Sequence, residues 1–297
     1  MERKLIVIAG PTGVGKTALA IEMAIRFKTE IISADSRQIF REMNIGTAKP
    51  SQAELLAVRH HFINSHSIQD QYDAAQFGRD ALSVIQQLFL THNIVILCGG
   101  SGLYIKGVCE GFDDIPEVSE EIRNDLIDEF ERKGLPWLQQ KMAELDADYF
   151  RVIDQQNPHR LIRALEVKIG TGQSITSFQN KVRPDHDFDI IKIGLTLERE
   201  TLYQRIDGRM DKMIEAGLFN EAQELYPYRN LPALQTVGYQ EIFDYINGKS
   251  DREETIRLLK RNSRRYAKRQ LTWFNRDKEF KWFDAASSPL ERIVELL

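Results

Sequence analysis

Eight residues near the start, Gly10-Pro11-Thr12-Gly13-Val14-Gly15-Lys16-Thr17, constrain the fold of this chain more than any others. They fit G-x-x-x-x-G-K-[ST] and follow a short apolar run, Leu5 to Ala9. The stretch Lys16 to Phe27 then places Leu19, Met23 and Phe27 on one helical face. A glycine-rich turn between a strand and a helix lets backbone N–H groups curl around a phosphate, where the helix dipole adds about half a positive charge. Lys16 would neutralise the terminal phosphate and the Thr17 hydroxyl would ligate Mg²⁺. A Walker-B strand, which would end in an acid, is missing. Ile94 to Cys98 runs into Gly99-Gly100-Ser101-Gly102 instead, so nothing shows that a phosphoryl group moves.

The first hundred residues continue that alternation. Ile31-Ile32 forms a second strand ending at Ser33-Ala34-Asp35-Ser36, Asp73 to Thr91 reads as a helix, and Ile94 to Leu97 as a third buried strand. Strands alternating with helices imply an α/β fold, a phosphate-loop NTPase-like parallel sheet flanked by helices. After Gly111 the pattern turns helical, with Ser119 capping a helix to about Arg132 and further helices reaching Gly170. We therefore expect a core of residues 1–113 and 187–297 and a helical insertion domain of residues 114–186. Asp189 to Leu195 restores the sheet, and Lys281 to Phe283 adds a last short strand.

Charge is segregated. Lys and Arg number 40 against 44 Asp and Glu, a net −4, yet Asp113 to Asp148 holds 12 acids against four bases. From Ile256 to Arg276 there are eight bases and no acid. At about 100° per residue, Arg257, Arg261, Arg264 and Lys268 fall within about 60° of one another, opposite Leu259, Tyr266 and Trp273. That pattern predicts one packed face and one cationic stripe for a phosphate backbone, the alternative being a solvated face. No apolar run nears the about 18 residues of a membrane span, and Cys98 and Cys109 form no ligand set, so we expect a cytoplasmic monomer.

Asp35 follows the second strand at the sheet edge where ligands bind, and reads either as a general base or as a turn or cap residue. Gly99 to Tyr104 reads equally as a substrate rim or a tight strand-to-helix turn. Arg205 and Arg209 lie one helical turn apart and either could hold a diphosphate.

The ordered set Gly10–Thr17, Ser33–Ser36, Asn44–Pro50, Gly99–Tyr104, Asn157–Glu166, Thr236–Tyr239 and Tyr266–Phe274 resembles the tRNA dimethylallyltransferase (tRNA isopentenyltransferase) family over nearly the whole chain. The resemblance implies transfer of a dimethylallyl group from dimethylallyl diphosphate to N6 of adenine 37 in the tRNA anticodon stem-loop, with Mg²⁺ as cofactor. It makes Asp35 the general base, Gly10 to Thr17 the diphosphate site, and Thr12 and Arg209 partners in catalysis. It assigns tRNA contacts to Asp35, Ser36, Arg37, Gln38, Ser101, Arg123, His159, Arg160, Leu161, Ile162 and Arg163, to which the basic helix adds Arg261, Arg264 and Lys268. Family members often have Thr where this chain has Ser101, and the hydroxyl is kept. The lack of a C-terminal Cys/His pattern points to a bacterial type. Three rival readings are a small-molecule kinase, an RNA-binding nucleotide switch, and prenylation of free adenine nucleotides.

Overall fold

A computed structural model describes residues 2–179 and 184–297. In chain order the core runs β1 (Lys4–Ala9), α1 (Lys16–Phe27), β2 (Ile31–Ala34), α2 (Gln52–Ala57), β3 (His60–His61), α3 (Ala74–Leu88), β4 (Ile94–Gly99) and α4 (Gly102–Cys109). Then come α5 (Glu120–Lys133), α6 (Leu135–Leu145), α7 (Ala147–Phe150) and α8 (Pro158–Thr171). The chain returns through β5 (Asp189–Thr196), α9 (Arg199–Glu215), α10 (Leu218–Leu225), α11 (Gln240–Ile246), α12 (Arg252–Phe274), β6 (Lys281–Asp284) and α13 (Leu290–Val294).

The strands form one sheet in the order β3-β2-β4-β1-β5-β6, and every pair is parallel. Strands β1, β2 and β4 are apolar on both faces, as a sheet covered on both sides requires. Leu5, Val7 and Ala9 of β1 pack with Val95 and Leu97 of β4 against Phe77 and Ala81 of α3 and Ile105 of α4. The intervening Ile6, Ile8, Ile96 and Cys98 face Leu19 and Met23 of α1 and Leu202 and Ile206 of α9. The strand period of two thus divides one run of sequence between two cores. A third core joins Ile39, Phe40 and Met43 to Leu218, Tyr239, Ile242 and Leu259.

The chain divides into two compact units, Met1–Gly111 with Pro184–Leu297, and Phe112–Arg183. Of the expected insertion, residues 180–183 lie outside the described residues. The smaller unit has its own apolar core, with Leu126, Leu138, Met142, Leu161, Ile162 and Leu165 buried together. Asn157 caps α8, its side chain accepting the Arg160 N–H, and Pro158 occupies the first turn, where its missing N–H costs nothing.

The short β3 strand carries no apolar run and was not expected. It exists because Ile31 and Ile32 of β2 pair with His60 and His61.

Candidate active site

At the carboxyl edge of β1 the glycine-rich turn enters α1 through Gly15, whose φ of 109° suits glycine. Lys16 folds back so that Nζ donates to the Pro11 carbonyl at 2.9 Å. Above it, the Thr12 hydroxyl accepts a hydrogen bond from Arg209 of α9. Thr12, Lys16, Thr17, Asp35, Gln38 and Arg209 together line a cavity of about 250 Å³. Arg205, one turn earlier on α9, is exposed and does not line it. Of the two arginines, Arg209 is the one that lines the cavity.

Ile31, Ser33 and Asp35 line the cavity at alternate positions, so they share one face at the end of β2. Asp35 Oδ1 accepts the backbone N–H of Arg37 at 2.9 Å and of Gln38 at 3.3 Å. It is therefore both a turn residue and a cavity carboxylate, because the turn uses one oxygen only. Burial pulls Lys16 down to about 8, while the charges of Cys98 and Asp35 oppose that fall and Arg209 adds to it. Burial likewise lowers Arg209, with Asp35 opposing. The two cations thus stand desolvated, with only one carboxylate in the cavity to compensate them. Such a site favours an incoming anion.

Thr47, Ala48, Pro50 and His60 form another part of the wall. Gln38 Nε2 donates to the carbonyls of Thr47 at 3.2 Å and Ala48 at 3.0 Å. Glu221 of α10 receives the backbone N–H groups of Asn44, Ile45 and Gly46 at 2.9, 2.7 and 2.9 Å. It also accepts the Tyr239 hydroxyl at 2.7 Å. Gly46 lies flat on that tyrosine, where a Cβ would come within 2.7 Å of the ring. The motifs Asn44–Pro50 and Thr236–Tyr239 are thus two halves of one strut. Sequence reasoning missed Glu221 and His60, since neither lies in a recognisable pattern.

The second glycine-rich loop is dictated by packing. A Cβ on Gly99 would stand 2.0 Å from the Ala34 carbonyl, one on Gly100 2.3 Å from Gln270 Nε2, and one on Gly102 2.2 Å from the Trp273 indole nitrogen. Ser101 Oγ accepts the Ser36 N–H at 2.9 Å and donates to Ser36 Oγ at 3.1 Å. The tight turn is therefore also what holds the loop carrying Asp35.

Several expectations need correction. Arg264 is not an open phosphate contact, because both oxygens of Asp207 on α9 hold it at 2.6 Å. Lys260 pairs with Asp211 at 2.6 Å and Arg257 with Glu254 at 2.6 Å. The acids missing from the basic segment come from the neighbouring helix and the preceding turn. The buried face of α12 is Thr255, Leu259, Ser263, Ala267, Gln270 and Phe274, and Trp273 is 36% exposed instead of packed inward. The exposed cations gather further round, where Arg265, Lys268, Arg269 and Arg276 line a surface groove with Thr272 and Trp273. Arg261 is half-buried, its Nε donating to Asn262.

In the smaller unit, Leu161 is 0% and Ile162 5% exposed, so their side chains face that unit's core instead of an open surface. His159 and Arg160 are exposed. Arg123 and Arg163 both pair with the buried Glu166, at 2.9 and 2.6 Å.

A parallel sheet bearing a glycine-rich loop, two desolvated cations and a facing carboxylate at its carboxyl edge defines a phosphate-loop α/β enzyme. The "IPP transferase" family model matches residues 38–277. The chain is 52% identical to a tRNA dimethylallyltransferase of Christiangramia forsetii, over 96% of this chain and 94% of that one. It is 51% identical to the one from Cytophaga hutchinsonii, over 95% and 93%. Among solved structures, the tRNA isopentenylpyrophosphate transferase of Bacillus halodurans superposes with a TM-score of 0.73 at 37% identity, covering 99% of this chain and 95% of that one. A eukaryotic dimethylallyltransferase acting on tRNA gives 0.77 at 26%, covering 95% and 74%. The chain belongs to the IPP transferase family.

Proposed function

We propose that this protein transfers the dimethylallyl group of dimethylallyl diphosphate to N6 of adenine 37 in tRNA, releasing diphosphate. The observation that carries the reading is the cavity in which Asp35 faces Thr12, Lys16 and Arg209. The allylic C–O bond breaks as the leaving diphosphate gathers charge, and Lys16 and Arg209 are the cations placed to receive it. Thr12 accepts from Arg209 with its oxygen, so its own O–H is left to donate to a leaving-group oxygen. As the new C–N bond forms, the amine becomes acidic and Asp35 takes its proton. No phosphoryl group moves, which accounts for a phosphate loop without a Walker-B acid.

Among the described residues no three His, Cys, Asp or Glu side chains converge as a metal cage. The Thr17 hydroxyl in the cavity is a hard oxygen donor that fits Mg²⁺ shared with a diphosphate. When bound, the ion would add positive charge to the leaving group. The exposed groove on α12 and the smaller unit are the surfaces we assign to the tRNA. Among the described residues no helix is long and apolar enough to cross a membrane. We place the protein in the cytoplasm as a monomer.

The test is incubation with dimethylallyl diphosphate, Mg²⁺ and unmodified tRNA, followed by mass spectrometry of the tRNA nucleosides. A dimethylallyladenosine product confined to position 37 is expected. Product on free AMP with none on tRNA would overturn the acceptor, and ATP turnover with a free nucleoside would overturn the reaction.

A further inference from the structure

One buried amide joins two loops of the site. Gln270 of α12 is 7% exposed. Its Oε1 accepts the Thr12 N–H at 2.8 Å, and its Nε2 donates to the Gly100 carbonyl at 2.9 Å. These partners lie 258 and 170 residues away along the chain. Only a group presenting a donor and an acceptor side by side can bridge an N–H and a C=O in this way. A glutamate offers no donor to Gly100, and a methionine offers neither group.

Each anchored residue leads directly to one end of the proposed reaction. Thr12 belongs to the phosphate loop, and its hydroxyl holds Arg209. Gly100 precedes Ser101, whose Oγ holds the Ser36 N–H beside Asp35. The leaving-group end and the base end are thus fixed to each other through one side chain. Gly100 has no room for a Cβ because the amide occupies that space.

Resting on the function proposed above, we infer that Gln270 is a positioning residue for prenyl transfer. It sets the distance between the loop that holds the diphosphate and the loop that holds Asp35, without touching either substrate. Transfer requires the amine, the allylic carbon and the departing oxygen in line, and a misplacement of about 1 Å costs on the order of a hundredfold. Lys268 and Arg269, on the same turn of α12, face outward, so Gln270 can be altered without changing that exposed charge.

The test compares the unaltered protein with Gln270→Met and Gln270→Glu in single-turnover transfer, both substrates saturating. Melting temperature and tRNA affinity are measured alongside. A loss on the order of ten- to a hundredfold in rate is expected, with tRNA affinity held. Combined with Arg209→Lys, the loss should be smaller than the product of the two single losses, because both act through Thr12. An additive pair, a normal rate, or a loss that tracks tRNA affinity would overturn the inference. If the Met variant does not fold, the Glu variant, which keeps the shape and the Thr12 acceptor, decides it. No transfer by the unaltered protein would instead overturn the function on which the inference rests.

Discussion

Replacing Lys16 by Met should make the free protein more stable while removing its hold on diphosphate. An unfolded lysine keeps its proton to 10.5, but in the cavity it does so only to about 8, chiefly because burial strips its water. Since each pH unit is worth 1.36 kcal/mol, keeping the folded side chain charged at pH 7 costs about 3 kcal/mol. That cost is fully present below pH 8 and fades as pH rises from 8 to 10.5, so stability rises over that window. The methionine also forfeits the hydrogen bond to the Pro11 carbonyl, worth about 1 kcal/mol. The net gain is then about 2 kcal/mol, or about 3 °C in melting temperature for a chain of this size. Thermal melts at pH 7 and 10 check the sign, since the advantage of the variant should shrink at the higher pH. Calorimetric titration with inorganic diphosphate supplies the other half. Affinity of the unaltered protein should fall about tenfold per pH unit above 8 relative to the variant, which starts weak and lacks that limb. A variant that melts at or below the unaltered protein at pH 7 would refute the desolvation argument.

Asp35→Asn keeps the Oδ1 acceptor for Arg37 and Gln38, so its melting temperature should hold while single-turnover transfer drops on the order of a hundredfold. A full rate would remove Asp35 from the chemistry. Reversing Lys268 and Arg269 to Glu should weaken tRNA binding and reduce its log–log salt slope by about 2, read by filter binding over a salt series. Arg264→Glu should instead cost stability, recovered by adding Asp207→Arg, and leave the slope alone; a stable single variant with a flattened slope would reverse that assignment. Glu221→Gln weakens three backbone contacts and one to Tyr239, so it should cost about 2 kcal/mol in chemical denaturation and raise the donor KM. Unchanged values for both would show that the strut is not needed for the cavity wall.

The parallel sheet was legible because β1, β2 and β4 are apolar on both faces and each is followed by a turn of glycine or polar residues. The pairing of His60 and His61 with β2 was not, since a two-residue strand has no periodicity of its own and borrows its conformation from a neighbour. The inward pointing of Leu161 and Ile162 was open to a helical reading. Leu161, Ile162 and Leu165 make an apolar face, whereas a family motif covers buried and exposed positions alike. Physical periodicity was the better guide to which of those side chains reach solvent.

The basic helix shows a deeper limit. Its cations could be counted and set at their angles, but whether a cation is free depends on what packs beside it. Asp207 and Asp211 lie one turn apart on α9, more than forty residues upstream, and meet Arg264 and Lys260 only because α9 packs on α12. A charge excess within one helix is therefore a statement about that helix, and becomes a statement about a partner only after neighbouring helices have taken their share. The same logic applies to the glycines after β4. A run of small residues serves a ligand or a close approach equally well, and here Ala34, Gln270 and Trp273 fill the space that three side chains would need. Both features owe their arrangement to contacts the motifs do not contain. The residues packed against them, Asp207 and Gln270, decide which groups stay free for the substrates.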